Sequence, residues 1–503
     1  MPRKHNKNKK SFFGRPVWRN STKTISVHPL RFYQPETLDD LKEMVQEAID
    51  TNTTIRAVGS GHSFSDAPQA EGILLDTDHL NKLSKYKFSK AENLFEVEGG
   101  IKVKELNKRL DQAGYCIPTM GGIDHQSIAG ALSTGTHGSS LDFGAMSKMI
   151  KSIVLVTHDQ DDPKKVKVYR IERSGNNSIT DTAGYTGPEI IKDDAVFHSA
   201  VVCFGSMGII YSYVLEVEKM YYLLEKKEVS DWPTVKDKLR NRRVFQGHRS
   251  VFVQINPYLH KGKQLALLVY HDDYVDTDQN LLVQQIKHKV FDRIKRSRRS
   301  FQFEVASLLP YFVWIMIWRI NRFPGFVPKF INNAVKSQKD DEYINKGYKV
   351  MYQGLDYVKE RAFDCEIAIQ VDSGDEYLEV IENVMQYLRY MSEEYKVHIT
   401  SPLGLRFVKS SEAFMTPESG YDVCYIDTPV LKKIYGGDVI INKLQQFLLV
   451  GGARPHWGKR NDLVDLEYTQ SNYPKYNVFI QTIKLFNPSK IFSNLFTKRV
   501  IGY

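Results

Sequence analysis

Three short segments carry the residue types that do chemistry. Gly59-Ser60-Gly61-His62-Ser63-Phe64 and Gly130-Ala131-Leu132-Ser133-Thr134-Gly135-Thr136-His137-Gly138 are small-residue loops with one histidine each. Ala453-Arg454-Pro455-His456-Trp457-Gly458-Lys459 lies near the C-terminus. Glycine permits tight turns and close backbone approach to a ligand. A histidine on such a loop is a metal ligand, a general base or a covalent tether, and His62 taken alone is equally a packed turn residue. Gly121-Gly122 and the second loop add backbone amides with little side-chain obstruction, which suits a pyrophosphate. Neither a GxGxxG turn nor GxxxxGK[ST] occurs, so a Rossmann or P-loop fold is not indicated. Cys116, Cys203, Cys365 and Cys424 are scattered and form no CxxC. They fit a reducing compartment, with neither a zinc site nor a disulfide framework, and no metal is expected.

The elements around these loops alternate between strand and helix. Ile55–Val58 is a short strand running into the first loop. Leu38, Leu41, Met44, Val45 and Ala48 form the apolar face of a helix, with Thr37 as its N-cap. Val103–Ala113 reads as a helix closed by Gly114. Further strands are expected at Ile73–Leu75, Leu94–Val97, Lys151–Thr157 and Tyr211–Glu218. From about 221 the texture changes to longer alternating strands, such as Ser250–Gln254 and Leu265–Tyr270, with an amphipathic helix over Glu376–Glu394. A chain of 503 residues is long for one core. The expected organisation is a basic flexible arm over 1–27, a cofactor domain over 28–220, an α+β substrate domain over 221–445, and a C-terminal segment over 446–503.

The net charge of +10 is concentrated in two patches. Arg3, Lys4, Lys7, Lys9, Lys10, Arg15, Arg19 and Lys23 face no acid before residue 25, and residues 287–299 are rich in Lys and Arg. The remainder is slightly acidic. A solvated surface, an anionic membrane and nucleic acid all suit such patches. Nucleic acid is the weakest, because stacking aromatics do not interleave with the basic residues. In the apolar stretch over 305–330, with Trp314 and Trp318, the continuously apolar part, 305–318, is too short to span a bilayer, and Pro310 interrupts it. It reads either as a buried helix or as a peripheral membrane contact. The N-terminus lacks an apolar signal core, so an intracellular protein is expected, peripheral on a membrane if the apolar stretch faces one.

Taken together, Gly59–Phe64, Gly121–Ser139, Phe204–Gly208, Ala453–Lys459 and the closing Phe486-Asn487-Pro488 with Phe492-Ser493-Asn494 resemble the vanillyl-alcohol-oxidase class of flavoproteins. The resemblance is to the sugar-1,4-lactone oxidases and alditol oxidase, and it is strongest over 30–220 and 445–503. It implies an α+β fold: a two-subdomain FAD-binding domain of the para-cresol methylhydroxylase type, an α+β cap domain, and a C-terminal segment returning to the flavin. It implies FAD held covalently through His62. Gly59, Ser60, Gly61, Ser63, Gly121, Gly122, Ser127, Gly130, Thr134, Gly135, His137 and Gly138 would line the flavin and pyrophosphate, and Gly208 and Ile209 the adenine end. Lys459 would face the negative charge of reduced flavin, with His456 nearby, and Arg406 the substrate oxygen. Glu366 matches a recurring acid with an implied structural role. Small residues at 121 and 122 would leave the flavin open to O2.

Two departures concern the substrate. The family carries Glu two residues before the cap arginine, where this chain has Gly404, and alditol oxidase has a polar side chain where this chain has Gly122. Tyr425 and Asp427, alternating on an expected strand, are candidate replacements. The expected activity is oxidation of a CH–OH group in a sugar-derived lactone or alditol, with O2 reduced to H2O2. The alternatives are the same half-reaction with a non-oxygen acceptor, and a membrane-associated flavin-fold protein without turnover.

Overall fold

The computed structural model describes residues 16–275, 312–338, 342–353, 362–371 and 374–503. Strand Ile73–Asp76 lies between Arg31–Tyr33 and Ile55–Val58, parallel to both. Helix Leu38–Asp50 buries Leu41, Met44, Val45 and Ala48 against Ile55, Ile73 and Leu75. Thr37 and Asp40 close its N-terminus with a reciprocal capping box, each side chain accepting from the other's backbone N–H. A second sheet of six strands runs in the order Glu189–Lys192, Val166–Glu172, Ile150–His158, Ile209–Glu216, Leu94–Glu98, Leu83–Lys85. Its core takes in helices Val103–Gln112 and Asp194–Val201.

The region after 221 is built on one antiparallel sheet of eight strands. Their order is Glu342–Lys346, Tyr222–Asp231, Leu265–Tyr274, Ser250–Ile255, Leu403–Val408, Val423–Asp427, Glu366–Gln370, Arg454–Pro455. Strand side chains alternate between faces. Val251, Val253, Ile255, Leu403, Leu405 and Phe407 enter the core shared with helices Trp232–Arg240, Glu376–Tyr395 and Gly437–Val450. Gly404 and Arg406, at the intervening positions, belong to the opposite face.

The last fifty residues return to the first domain. Ile55 donates its N–H to the Ile491 carbonyl at 2.7 Å, and the Thr157 hydroxyl bonds the Phe486 carbonyl at 2.6 Å. The expected free arm is corrected in part. Trp18–Arg19 pairs with Ser26–Val27, Ser21 donates its N–H to the Gly61 carbonyl, and buried Asn20 bonds the Ser63 carbonyl. The arm therefore ends in a hairpin fastened to the first glycine loop. Residues 1–15, the basic run at 287–299 and positions 305–311 of the apolar stretch lie outside the described residues. The rest of that stretch forms helix Phe312–Arg322. Ile317 and Ile320 are buried, whereas Trp314, Ile315 and Trp318 are more than half exposed. Among the described residues no helix is long and apolar enough to cross a membrane.

Candidate active site

Register alone assembles one wall of the site. Gly404 pairs with Asp427, which pairs with Glu366 on the next strand. Arg406 pairs with Tyr425, which pairs with Ala368. Directly paired residues share a sheet face, so these six side-chain positions form two adjacent rows. Asp364, two residues before Glu366, lies just ahead of that strand.

Opposite that wall lie the glycine loops, and between them is a cavity of about 320 Å³. Gly59, Ser60, Gly61, His62, Ser63, Gly121, Gly122, Ser127, Gly130, Thr134, His137, Gly208 and Ile209 all line it, together with Arg406, His456 and Lys459. Gly135 and Gly138 do not. Gly135 holds a φ of +76°, and a Cβ on Gly138 would sit 2.7 Å from Thr119 Oγ1, so these two glycines serve the turn rather than the cavity surface. The loops also bind one another. A Cβ on Gly59 would fall 1.9 Å from Ser127 Oγ, and Phe64 donates its N–H to the Gly458 carbonyl at 2.8 Å.

The electrostatics of the wall are dense. Lys459 Nζ lies 2.5 Å from Asp364 Oδ2 and 3.7 Å from Glu366 Oε2. Burial pulls the ammonium down, but Asp364, Glu366 and Asp427 outweigh it and hold its pKa above the ordinary lysine value. Burial pushes Asp364 and Asp427 up to about 6 each, against the pull of Lys459. His137 and His456 are both lowered to about 3 by burial, so both are neutral at physiological pH. His137 Nδ1 donates to the Gly138 carbonyl, and its ring stacks on Tyr425 at 3.6 Å. His456 Nδ1 accepts from the Gly458 N–H at 3.0 Å. His137, Glu366 and His456 bring three potential ligand atoms within 4.8 Å, with the Lys459 ammonium 3.7 Å from the Glu366 carboxylate.

The outcome for the candidates at the substrate end is mixed. Asp427 lines the cavity; Tyr425 does not. The Tyr425 hydroxyl is spent on Glu418 Oε2 at 2.7 Å, deep in the core, so it is no substitute donor. Glu366, read as structural, lines the cavity. The space beside Gly122 is not open: a Cβ there would come within 2.8 Å of Gln353 Oε1. Asp364, Gln353 and Trp18 complete the surroundings of the site without having been singled out in the sequence. Asp364 had a signal, an acid spaced by two from Glu366. Gln353 had none.

The loops fit FAD. Ser60 Oγ, Thr136 Oγ1 and Gln126 Oε1 are enclosed and unpartnered among the described residues, as polar atoms awaiting a ligand would be. The chain matches the FAD-binding domain family over residues 29–161. It matches the family described as D-arabinono-1,4-lactone oxidase over residues 231–500, more than half of its length. The chain belongs to the D-arabinono-1,4-lactone oxidase family. Relatives of this family member include L-gulono-1,4-lactone dehydrogenase of Mycobacterium tuberculosis, 24% identical over 490 residues, 97% of this chain and 99% of the relative. L-gulonolactone oxidase of Mus musculus is 22% identical over 96% of this chain and 98% of its own. D-arabinono-1,4-lactone oxidase of Kluyveromyces lactis is 30% identical over a shorter stretch, 44% of this chain and 38% of its own. Among solved structures, cholesterol oxidase from B. sterolicum superposes with a TM-score of 0.73 over 96% of each chain at 13% identity, a likeness of fold.

Proposed function

We propose that the protein is an FAD-dependent oxidoreductase that oxidises a CH–OH group of a sugar-derived lactone, with O2 as electron acceptor. The observation that supports this best is the meeting, in one cavity, of glycine loops with a wall carrying Arg406, Lys459 and three carboxyls. FAD, when bound, supplies acceptance of a hydride and its electron pair. The chain's own residues supply position and charge. Lys459, enclosed and held cationic, stabilises negative charge developing on the cofactor. Arg406 orients the substrate oxygen. His62, on the loop that leaves strand Ile55–Val58, is the covalent tether.

The test is the visible spectrum of the purified protein before and after acid precipitation. Flavin absorbance that stays in the pellet, and leaves it in His62→Ala, is expected. Anaerobic bleaching by L-gulono- or D-arabinono-1,4-lactone, followed by H2O2 formation on admitting air, is expected as well. Bleaching that only a dye reverses would give the acceptor role to another oxidant.

The helix Phe312–Arg322 supports a second element of the reading, a peripheral contact with an anionic membrane. Its exposed Trp314, Ile315 and Trp318 lie beside Arg319, Arg322 and Lys433, whose Nζ sits 4.3 Å from the Trp314 ring centre. Interfacial tryptophans flanked by cations suit a headgroup layer. Flotation with phosphatidylserine vesicles should fall in Trp314→Ala/Trp318→Ala. Equal flotation of both proteins rejects the contact.

A further inference from the structure

Asp364, Asp427 and Gln353 have no task in the chemistry set out above; the two acids line the cavity, and Gln353 bonds Arg406, which also lines it. Asp427 lies on the strand beside Gly404, its register partner. A Cβ at 404 would meet Asp427 Cβ at 3.3 Å and Oδ2 at 3.6 Å, so the missing side chain leaves Asp427 its room. On Asp364 and Asp427 alike, Oδ1 is enclosed and finds no donor among the described residues.

Gln353 is held against Arg406. Its N–H donates to the Gly122 carbonyl at 3.0 Å, and its Oε1 accepts from Arg406 Nη2 at 3.0 Å. The amide NH2 and the guanidinium are then donors beside Gly122. Asp427, whose Oδ1 has no donor among the described residues, is the acceptor.

We propose that Asp427 and Gln353, the latter braced on Arg406, are the specificity-determining pair for the lactone. A ligand with a hydroxyl next to a carbonyl or ring oxygen fits this layout. The hydroxyl donates to Asp427, and the neighbouring oxygen accepts from Gln353 and Arg406. The inference rests on the lactone reading and names the residues that carry it.

The experiment is calorimetric titration of L-gulono- and D-arabinono-1,4-lactone into the dithionite-reduced, anaerobic holoprotein, where no turnover occurs. Flavin content and melting temperature are measured on each sample. Wild type should bind at least one lactone. Asp427→Asn and Gln353→Ala should each bind it at least about tenfold more weakly, the scale of one hydrogen bond to a charged or enclosed group. Gly404→Glu/Asp427→Gly moves the carboxylate back one strand into the space just vacated, and should recover most of the affinity. Unchanged affinity in Asp427→Asn and Gln353→Ala overturns the inference and leaves the lactone reading standing. A wild-type protein that holds flavin and binds neither lactone overturns both. Should Asp427→Asn lose its flavin, Gln353→Ala and the double variant decide the matter.

Discussion

Glu418 shows how far burial reaches beyond the cavity. Its Oε2 accepts from the Tyr425 hydroxyl, its Oε1 has no partner among the described residues, and burial pushes its pKa up to about 7 against weaker pulls from Lys148 and Arg454. The folded state thus keeps a proton that the unfolded chain releases near its ordinary value of 4.5. Between those values the native state binds more protons, so stability falls as pH rises through the window. Glu418→Gln removes the titration and leaves an acceptor for Tyr425. Its melting temperature relative to wild type should climb between pH 5 and pH 8, by on the order of 1–3 kcal/mol in stability. The depressed histidines, which act with the opposite sign, are common to both proteins and drop out of the difference. Parallel melting curves across that range refute the assignment. At this scale the sequence was most readable where residue type is rare in context. A histidine on a glycine loop and the lysine of Trp457-Gly458-Lys459 stood out, whereas Gln353 belongs to a segment with no pattern around it.

Strands turn isolated residues into a site, and here the register matters more than the motif. The row Gly404, Asp427, Glu366 joins residues up to 61 positions apart in the chain, and only pairing makes them neighbours. Alternation along 403–408 and 423–427 could be read in the sequence; which strand lay beside which could not. This is why Tyr425 and Asp427 looked equivalent on paper, although a hydroxyl bond to Glu418 removes one of them. The row is held at its correct depth by Ser139, at the end of the second glycine loop. Its hydroxyl donates to the Val251 carbonyl and accepts the Phe407 N–H at 2.9 Å, so one atom joins the cofactor loop to two central strands of the cap sheet. Ser139→Ala leaves a buried N–H and a buried carbonyl without that partner, a loss of about 1–3 kcal/mol. Because the Phe407 amide adjoins Arg406, the variant should also raise KM for the lactone more than it lowers kcat. A variant destabilised by that amount with unchanged KM would make Ser139 a support for the fold alone.

The whole molecule is closed by its own C-terminus, and one buried cation marks the seam. The Arg56 guanidinium donates to the carbonyls of Ala67 at 2.8 Å, Phe204 at 2.6 Å and Phe492 at 3.1 Å. It therefore ties the strand feeding the His62 loop to the Phe204–Gly208 turn and to the returning segment. Burial lowers its pKa to about 10, still well above neutrality, so the charge persists with carbonyl oxygens as its only described hydrogen-bond partners. Asn494 reinforces the seam by donating to the Ala67 and Gln69 carbonyls at 2.9 Å. That the two ends of the chain share a site was legible from the motifs at 59–64 and 453–459, but the fastening itself was not, since a lone arginine within Ile55–Val58 carries no pattern. Arg56→Met keeps the volume and removes three charge-assisted bonds, leaving the Phe204 and Phe492 carbonyls without that donor while the Ala67 carbonyl keeps Asn494. Loss of one partner from such a buried network costs about 3–5 kcal/mol. The damage should be local to the seam before it is global. Limited proteolysis is expected to cut within the 486–494 turn, and non-covalent flavin in a His62→Ala background should dissociate faster, because the loop, the turn and the C-terminal segment would separate together. Proteolysis that starts instead in the cap sheet, with flavin release unchanged, would mean that the C-terminal segment is held by its helices Tyr476–Phe486 and Leu495–Ile501 and that Arg56 serves its own strand only.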